Sequence, residues 1–465
     1  MTADGSTASK ERTLHESVKA SYRRWVPILI LVLAALGMSI TVTANHSSAL
    51  SPSDEWVYID YLYKFPDQGV VRQGEVIGQE SLDLMACTGV REYGPMGPPC
   101  GGPYDEPSLF PYEGLTSAYG YTPLYFAPTW AVAKVVSLVP GVDFLTAARY
   151  SGTVWLVLTT VILYFLLREF SVSRTASTAI GLLFIGSPYA WWRYTFITTD
   201  APTVALAAAM LLAAHLYLRG RLSGWWLAAL APIAVLFKTA NLMGVGVVVL
   251  YLFGHAAFHY FRSRTWPVGA DWRAAVRGKG VLAPAVLGAV MVVVSVVAQV
   301  LWMLIQRAIA VGPPADQSTA VPLTIGELFR QATTFLPNTI IANVDIIGRE
   351  LPSYAIPEAL VAPLSWLCIA GVLGALFIAK ARDTHTPIVI AVAFAVVAFA
   401  PGLALALQFV LGYYYPFPAR YGAPLLAGML LLIGLIARNR LASWLMLGYG
   451  GTLVLYAIVA APSLA

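Results

Sequence analysis

Apolar runs of about 17–25 residues, separated by short polar segments, recur along this chain. Such a run, as a helix rising ~1.5 Å per residue, crosses roughly 30 Å of hydrocarbon. The pattern predicts membrane helices over residues 26–44, 144–167, 175–191, 201–218, 224–238, 240–254, 281–306, 359–379, 387–408, 421–437 and 442–460. The expected fold is therefore an all-α polytopic membrane protein with about eleven transmembrane helices and a single membrane domain over 1–465. Two long polar segments interrupt the runs, 45–143 and 307–358. Inside the first, residues 123–139 are apolar but short, and they carry Pro128, Lys134 and Pro140. They are expected to form a helix lying along the membrane surface.

Composition agrees with the pattern. Of 465 residues, 58% are hydrophobic and 11% charged, with mean hydropathy +0.70. A soluble domain carries roughly 25% charged residues. The first run follows a 24-residue head with Lys10, Arg12, Lys19, Arg23 and Arg24. A cleaved signal peptide would have an apolar region of roughly 7–15 residues, and this one is longer, so a retained first span is expected.

Charge sets the expected topology. With the N-terminus inside, 18 of the 29 Lys and Arg but only 6 of the 24 acids fall on the cytoplasmic side. That side is net +12 and the remainder net −7, as the positive-inside bias requires. The C-terminus then lies outside, and so do both long loops, in the plasma membrane of a cell whose Arg-over-Lys composition suggests a bacterium. Residues 224–254 decide the register. Read as one span, Lys238 would sit at mid-bilayer and every later basic loop would flip outward. Read as a helical hairpin with its tip at Lys238-Thr239-Ala240-Asn241, the charge pattern holds. Each arm is then too short to cross fully, so the tip lies below the outer surface.

Candidate chemistry gathers on that outer side. Asp54 and Glu55 open the first loop, which holds 11 acids and 3 bases between Asn45 and Tyr121. An ionised carboxylate there can accept a proton from an attacking hydroxyl; alternatively Ser51-Pro52-Ser53-Asp54 is only a helix N-cap. Arg193 and Asp200 join two spans. They are either functional charges near hydrocarbon or a mutual ion pair within an aromatic belt of Trp191, Trp192 and Tyr194. Lys238 wants an anion, either a lipid-linked phosphate or an outer-loop acid. Arg420, in Gly412-Tyr413-Tyr414-Tyr415-Pro416-Phe417-Pro418-Ala419-Arg420-Tyr421, offers a planar donor fork for phosphate, or else snorkels from an aromatic belt. Cys87 and Cys100 share the first loop with twelve residues between them, many Gly or Pro. A disulfide is expected outside the cytoplasm. Cys368 reads as an apolar filler. No His accompanies the cysteines at zinc-site spacing.

Taken in order, these motifs resemble the GT-C superfamily of membrane glycosyltransferases that use polyprenyl-phosphate sugars. The protein mannosyltransferase-like, aminoarabinose transferase-like and related actinobacterial cell-envelope enzymes are the members meant. The resemblance rests on Asp54-Glu55 opening the outer loop and on Thr122-Pro123-Leu124-Tyr125-Phe126 for an amphipathic segment. It continues through Arg149 opening the next span, then Pro188, Arg193 and Asp200, and finally Arg420-Tyr421-Gly422-Ala423-Pro424. It covers most of the chain to about residue 440. Two positions depart from the pattern. Tyr58 stands where some relatives have His, and Tyr121-Thr122-Pro123 replaces His-Pro-Pro. These bear on the acceptor more than on the reaction.

The resemblance implies an extracytoplasmic transfer, with inversion, of a sugar from a polyprenyl-phosphate donor to a glycan, lipid or protein acceptor. By it, Asp54 is the general base, Glu55 its neighbour or orienter, and Asp200 holds the acceptor or a divalent ion (Mg or Mn). Lys238, Arg420 and Arg193 bind the donor phosphate. Tyr58, Tyr121, Tyr125, Tyr414 and Tyr421 contact substrate. The bilayer is the other partner, and nothing points to nucleic acid. A lipid-linked saccharide flippase or transporter would need polar groups spread through the bundle at midplane. Apart from Lys238 and Gln306, the spans are nearly free of charged or amide residues. A surface-polysaccharide polymerase would have an arginine-rich rather than acidic loop, and an envelope scaffold would release no sugar.

Overall fold

Unbroken apolar runs leave backbone amides no partner in hydrocarbon except one another, so such runs become helices. The computed structural model describes residues 5–263, 282–316, 320–342, 345–346, 349–350, 356–380 and 383–461. The basic segment around Arg264, Arg273, Arg277 and Lys279, the side chains of the basic head, and Arg382 lie outside the described residues. The main elements in order are α1 (Gly5–Asn45), α2 (Glu55–Gln68), α3 (Gln79–Asp83), α4 (Pro123–Val136), α5 (Phe144–Arg149), α6 (Ser151–Glu169), α7 (Arg174–Ile185), α8 (Pro188–Tyr194) and α9 (Thr203–Leu218). They continue with α10 (Trp225–Phe237), α11 (Leu242–Ser263), α12 (Ala283–Ala308), α13 (Ile325–Asn338), α14 (Glu358–Ile378), α15 (Thr386–Leu411), α16 (Ala423–Ile436) and α17 (Arg440–Val459). The described strands are a two-residue antiparallel pair, Asp345–Ile346 with Arg349–Glu350.

Among the described residues, eight helices are long and apolar enough to cross a bilayer. They are Trp25–Asn45, Phe144–Glu169, Thr239–Phe261, Ala283–Ala308, Glu358–Ile378, Thr386–Val410, Ala419–Ile436 and Arg440–Val459. The protein is thus all-α and multi-pass. The other three expected spans are shorter helices: α7 has 12 residues, α9 16 and α10 13. The expected run over 175–191 is cut because Ser187 starts a new helix. Its hydroxyl accepts from the Ala190 amide, and Pro188 fills the first turn, where its missing N–H costs nothing. Helices α7 and α9 sit inside the bundle, so their length need not match the bilayer. Every residue of α7 from Ala176 to Ile185 is buried. It crosses α17 at Gly450, where an added Cβ would come within 2.8 Å of the Leu183 nitrogen. Small residues allow such backbone approach in membrane bundles.

The hairpin at 224–254 forms with unequal arms. Lys238 is extended (φ −162°, ψ 129°) and breaks α10 from a 3-10 turn, Thr239–Asn241, that leads into the 22-residue α11. The second arm therefore runs on past residue 254. Both arms pack on α12. The carbonyls freed at the break are answered from elsewhere: Asn241 Nδ2 donates to Ala234 O at 2.8 Å, and Thr122 Oγ1 to Leu236 O at 2.6 Å.

In the first loop, α4 starts where Thr122 caps the Leu124 amide. It leads to exposed Val135, Leu138 and Val139, then to α5, capped by Asp143. Cys87 and Cys100 are joined as a disulfide, and Cys368 is buried in α14. In the second long segment, α13 packs along α15.

Candidate functional site

The Ser51-Pro52-Ser53 turn delivers Asp54 in the left-handed region (φ 63°, ψ 16°), at the N-cap position of α2. Asp tolerates that conformation better than most residues. Its side chain makes no capping bond, which removes the plain N-cap reading. Instead Oδ2 accepts from Arg420 Nη2 at 3.3 Å, and the Asp54 side chain keeps 27% of its surface open.

Glu55 points the other way and is fully buried. It accepts four hydrogen bonds: from Ser51 N (2.6 Å), Ile197 N (2.9 Å), Arg149 Nε (3.0 Å) and Arg149 Nη2 (2.9 Å). Arg149 donates further to Ser47 O and Ala49 O. A carboxylate offers about four lone-pair sites, and here all are occupied. Glu55 therefore has no lone pair open to a further donor. It fixes Asp54 through the adjacent peptide and Asp200 through the Ile197 segment.

Asp200 does not pair with Arg193. Its Oδ1 accepts from Lys238 Nζ at 2.5 Å. Burial by itself would raise the Asp200 carboxyl. Lys238, Arg193 and Arg420 outweigh burial and hold it below the ordinary carboxylate value. Arg193 is buried completely, yet its Nε and Nη2 have no hydrogen-bond partner, and burial lowers its pKa. Arg420 Nε is also unpartnered. Trp191, Trp192 and Tyr194 are buried, so the expected aromatic belt is an interior cluster instead.

Between the two carboxylates runs a line of hydroxyls. Thr199 Oγ1 donates to Tyr58 at 3.4 Å, and Tyr58 donates to Tyr121 at 3.3 Å. Burial, then Tyr121 and Asp54, raise the Tyr58 phenol well above its usual value, so it stays a donor. The Tyr125 hydroxyl accepts from Thr198 N at 3.0 Å and braces the Asp200 loop from inside. Tyr414 is also buried, and its hydroxyl donates to Glu327 at 3.4 Å. Its neighbour Tyr415 lines the cavity described below, and nothing in the Tyr413–Tyr415 run distinguishes one ring from the next. Thr199 carried no sequence signal beyond standing beside Asp200.

A cavity of about 610 Å³ opens beside Lys238 and Tyr121. Tyr121, Lys238, Tyr415 and Tyr421 line it, together with Leu242, Met243 and Gly246 of α11 and Phe399, Leu403 and Leu407 of α15. Lys238 Nζ lies 5.4 Å from the Tyr421 ring centroid.

The donor set does not suit a divalent ion, which seeks several oxygen ligands. Asp54 and Asp200 are each held by a cationic side chain. Among the described residues, the one group of three potential ligands within reach of one ion is Asp83, Cys87 and Cys100. Both of its sulfurs are in the disulfide.

No family model matches the chain, and no curated protein matches it. Among solved structures it is similar to the Archaeoglobus fulgidus oligosaccharyltransferase tethered to an acceptor peptide containing the NVT sequon. The TM-score is 0.45 and the identity 13%, over 95% of this chain and 55% of that one. The chain thus spans about half the length of that enzyme.

Proposed function

We propose that this protein is a membrane glycosyltransferase that moves a sugar from a polyprenyl-phosphate donor to a hydroxyl of a cell-envelope acceptor, on the extracytoplasmic face. One observation carries the reading. Asp54, Asp200, Lys238, Arg193 and Arg420, from four stretches of the chain, come together, and Lys238 among them lines a largely apolar cavity between two membrane-crossing helices. An apolar cavity with an ammonium at its edge suits a ligand that is lipid at one end and phosphate at the other.

In this reading the prenyl chain lies against α11 and α15, and the phosphate reaches Lys238 and Arg420. Arg193's unpartnered donors take a further oxygen. Asp54 is the most open of the three carboxylates and serves as general base. The acceptor oxygen attacks the anomeric carbon, Asp54 takes the hydroxyl proton, and the bond to the phosphate oxygen breaks. The cations stabilise the departing phosphate. A single displacement inverts the anomeric centre. Tyr58, Tyr121 and Thr199 offer hydroxyls to the acceptor.

The test is turnover by purified, reconstituted protein given a panel of polyprenyl-phosphate sugars, with Asp54→Asn alongside. Loss of a general base lowers the rate by about 10²–10⁴-fold, while donor binding persists. Equal turnover by Asp54→Asn would transfer the base role to Asp200. No turnover of any donor, with lipid-linked saccharide crossing the bilayer, would replace the enzyme with a transporter.

A further inference from the structure

Helix α13 lies in the segment 307–358, outside the eight crossing helices. Its sequence, Ile-Gly-Glu-Leu-Phe-Arg-Gln-Ala-Thr-Thr-Phe-Leu-Pro-Asn, is strongly two-faced. At 3.6 residues per turn, Leu328, Phe335, Ala332, Ile325, Leu336 and Phe329 share an arc of about 120°. Glu327, Arg330 and Thr334 lie opposite. Only part of the apolar arc is covered. Phe335 is buried against Gly422, whose added Cβ would meet its ring at 2.9 Å. Ile325 is 86% exposed and Phe329 71% exposed.

What covers them follows from the neighbour. Helix α13 packs along α15, a crossing helix whose last turn leaves Phe409 and Val410 open. On a crossing helix those residues face lipid, and Ile325 and Phe329 stand exposed on the helix packed against it. The opposite face carries an internally neutral pair, Arg330 Nη2 to Glu327 Oε2 at 2.7 Å, which suits water at the headgroup level.

We propose that α13 is an in-plane membrane helix, with Ile325 and Phe329 seated at the boundary between headgroups and acyl chains. Such helices bury their apolar face roughly 5–10 Å into that boundary. The consequence reaches the site. Thr339 ends α13, and its hydroxyl lies between Phe335 O at 2.7 Å and Ala419 O at 3.2 Å, the latter next to Arg420, with one proton for the two. The bilayer surface thereby steadies the segment that presents Arg420.

The experiment places a nitroxide at Phe329→Cys, at Ile325→Cys and, as the water-facing control, at Arg330→Cys, in phosphatidylcholine liposomes. The native thiols do not interfere, since Cys87 and Cys100 are bonded and Cys368 is buried. Collision with dissolved oxygen should dominate at 325 and 329, and collision with a water-soluble nickel complex at 330. Nickel dominance at 329 overturns the proposal, because the helix then stands in water. Protection from both reagents at 329 also overturns it, because protein then covers the face. The readout needs no sugar transfer, so it stands or falls apart from the function proposed above.

Discussion

Arg149 and Glu55, 94 residues apart in the chain, form a two-pronged ion pair sealed from solvent, with Nη2 to Oε2 at 2.9 Å and Nε to Oε1 at 3.0 Å. Removing one partner of a buried pair typically costs about 3–5 kcal/mol, because the other charge is left uncompensated. Arg149→Met should lower stability by that order, measured as a drop in unfolding temperature in detergent. Glu55→Gln keeps the shape but cannot accept all four donors, so it should destabilise less. Its transfer rate should still fall, because Asp54 and the Ile197 segment lose their common anchor. Wild-type stability in Arg149→Met would show that the clamp does not organise the site.

Arg193 behaves in the opposite way. It is a buried guanidinium with two unanswered donors, a charge held against its own desolvation. Replacing such a group by an apolar one of similar size can be neutral or stabilising. Arg193→Met should therefore unfold no earlier than wild type and still lose transfer. A variant that loses both together would mark Arg193 as a structural charge.

Gly246 faces Phe399 so closely that an added Cβ would lie 2.7 Å from the ring. Both residues line the cavity. Overpacking of this kind costs about 1–3 kcal/mol unless a side chain moves. In Gly246→Ala the ring is expected to swing into the cavity and raise KM for a prenyl donor, with kcat little changed. An unaltered KM would mean that the donor lies elsewhere.

His46 gives a pH signature. It stacks on Phe196 and shares a hydrogen bond with Thr195. Burial, then Arg149 and Arg91, hold its imidazole well below the ordinary value. The unfolded chain takes up this proton near pH 6.5 while the fold refuses it. Stability is then complete above about pH 6.5 and declines below it, by up to ~1.4 kcal/mol per pH unit, until the folded group titrates. His46→Gln should flatten this component when unfolding temperatures are compared between pH 8 and 5. Parallel curves for the two proteins would remove His46 as the cause.

Much of this arrangement was legible before any coordinates. Apolar runs gave the helices, and the Lys and Arg asymmetry gave the hairpin whose tip carries Lys238. Asp54, Asp200, Lys238, Arg193 and Arg420 stood out as charges beside hydrocarbon, and the structure brings them together. The pairings were not legible. Whether Asp200 meets Arg193, seven residues away, or Lys238, thirty-eight away, depends on where the hairpin tip lands. The difference between Asp54 and Glu55 was also hidden. Adjacent residues at a helix start point in different directions, and only the fold decides which one Arg149 meets. Helix α13 was missed because its apolar positions are spaced for one face rather than gathered into a run.

The bond from Thr122 to Leu236 O has a consequence for assembly. Synthesis delivers Thr122 more than a hundred residues before Leu236. The last turn of α10, cut short at Lys238, therefore meets a donor already in place instead of bare acyl chains. A first arm of 13 residues, too short to cross on its own, becomes a guest of an earlier-formed host. Maturation should thus run from the amino-terminal loop toward the hairpin, and a chain lacking residues 120–125 should stall with α10 and α11 exposed to the quality-control proteases of the membrane.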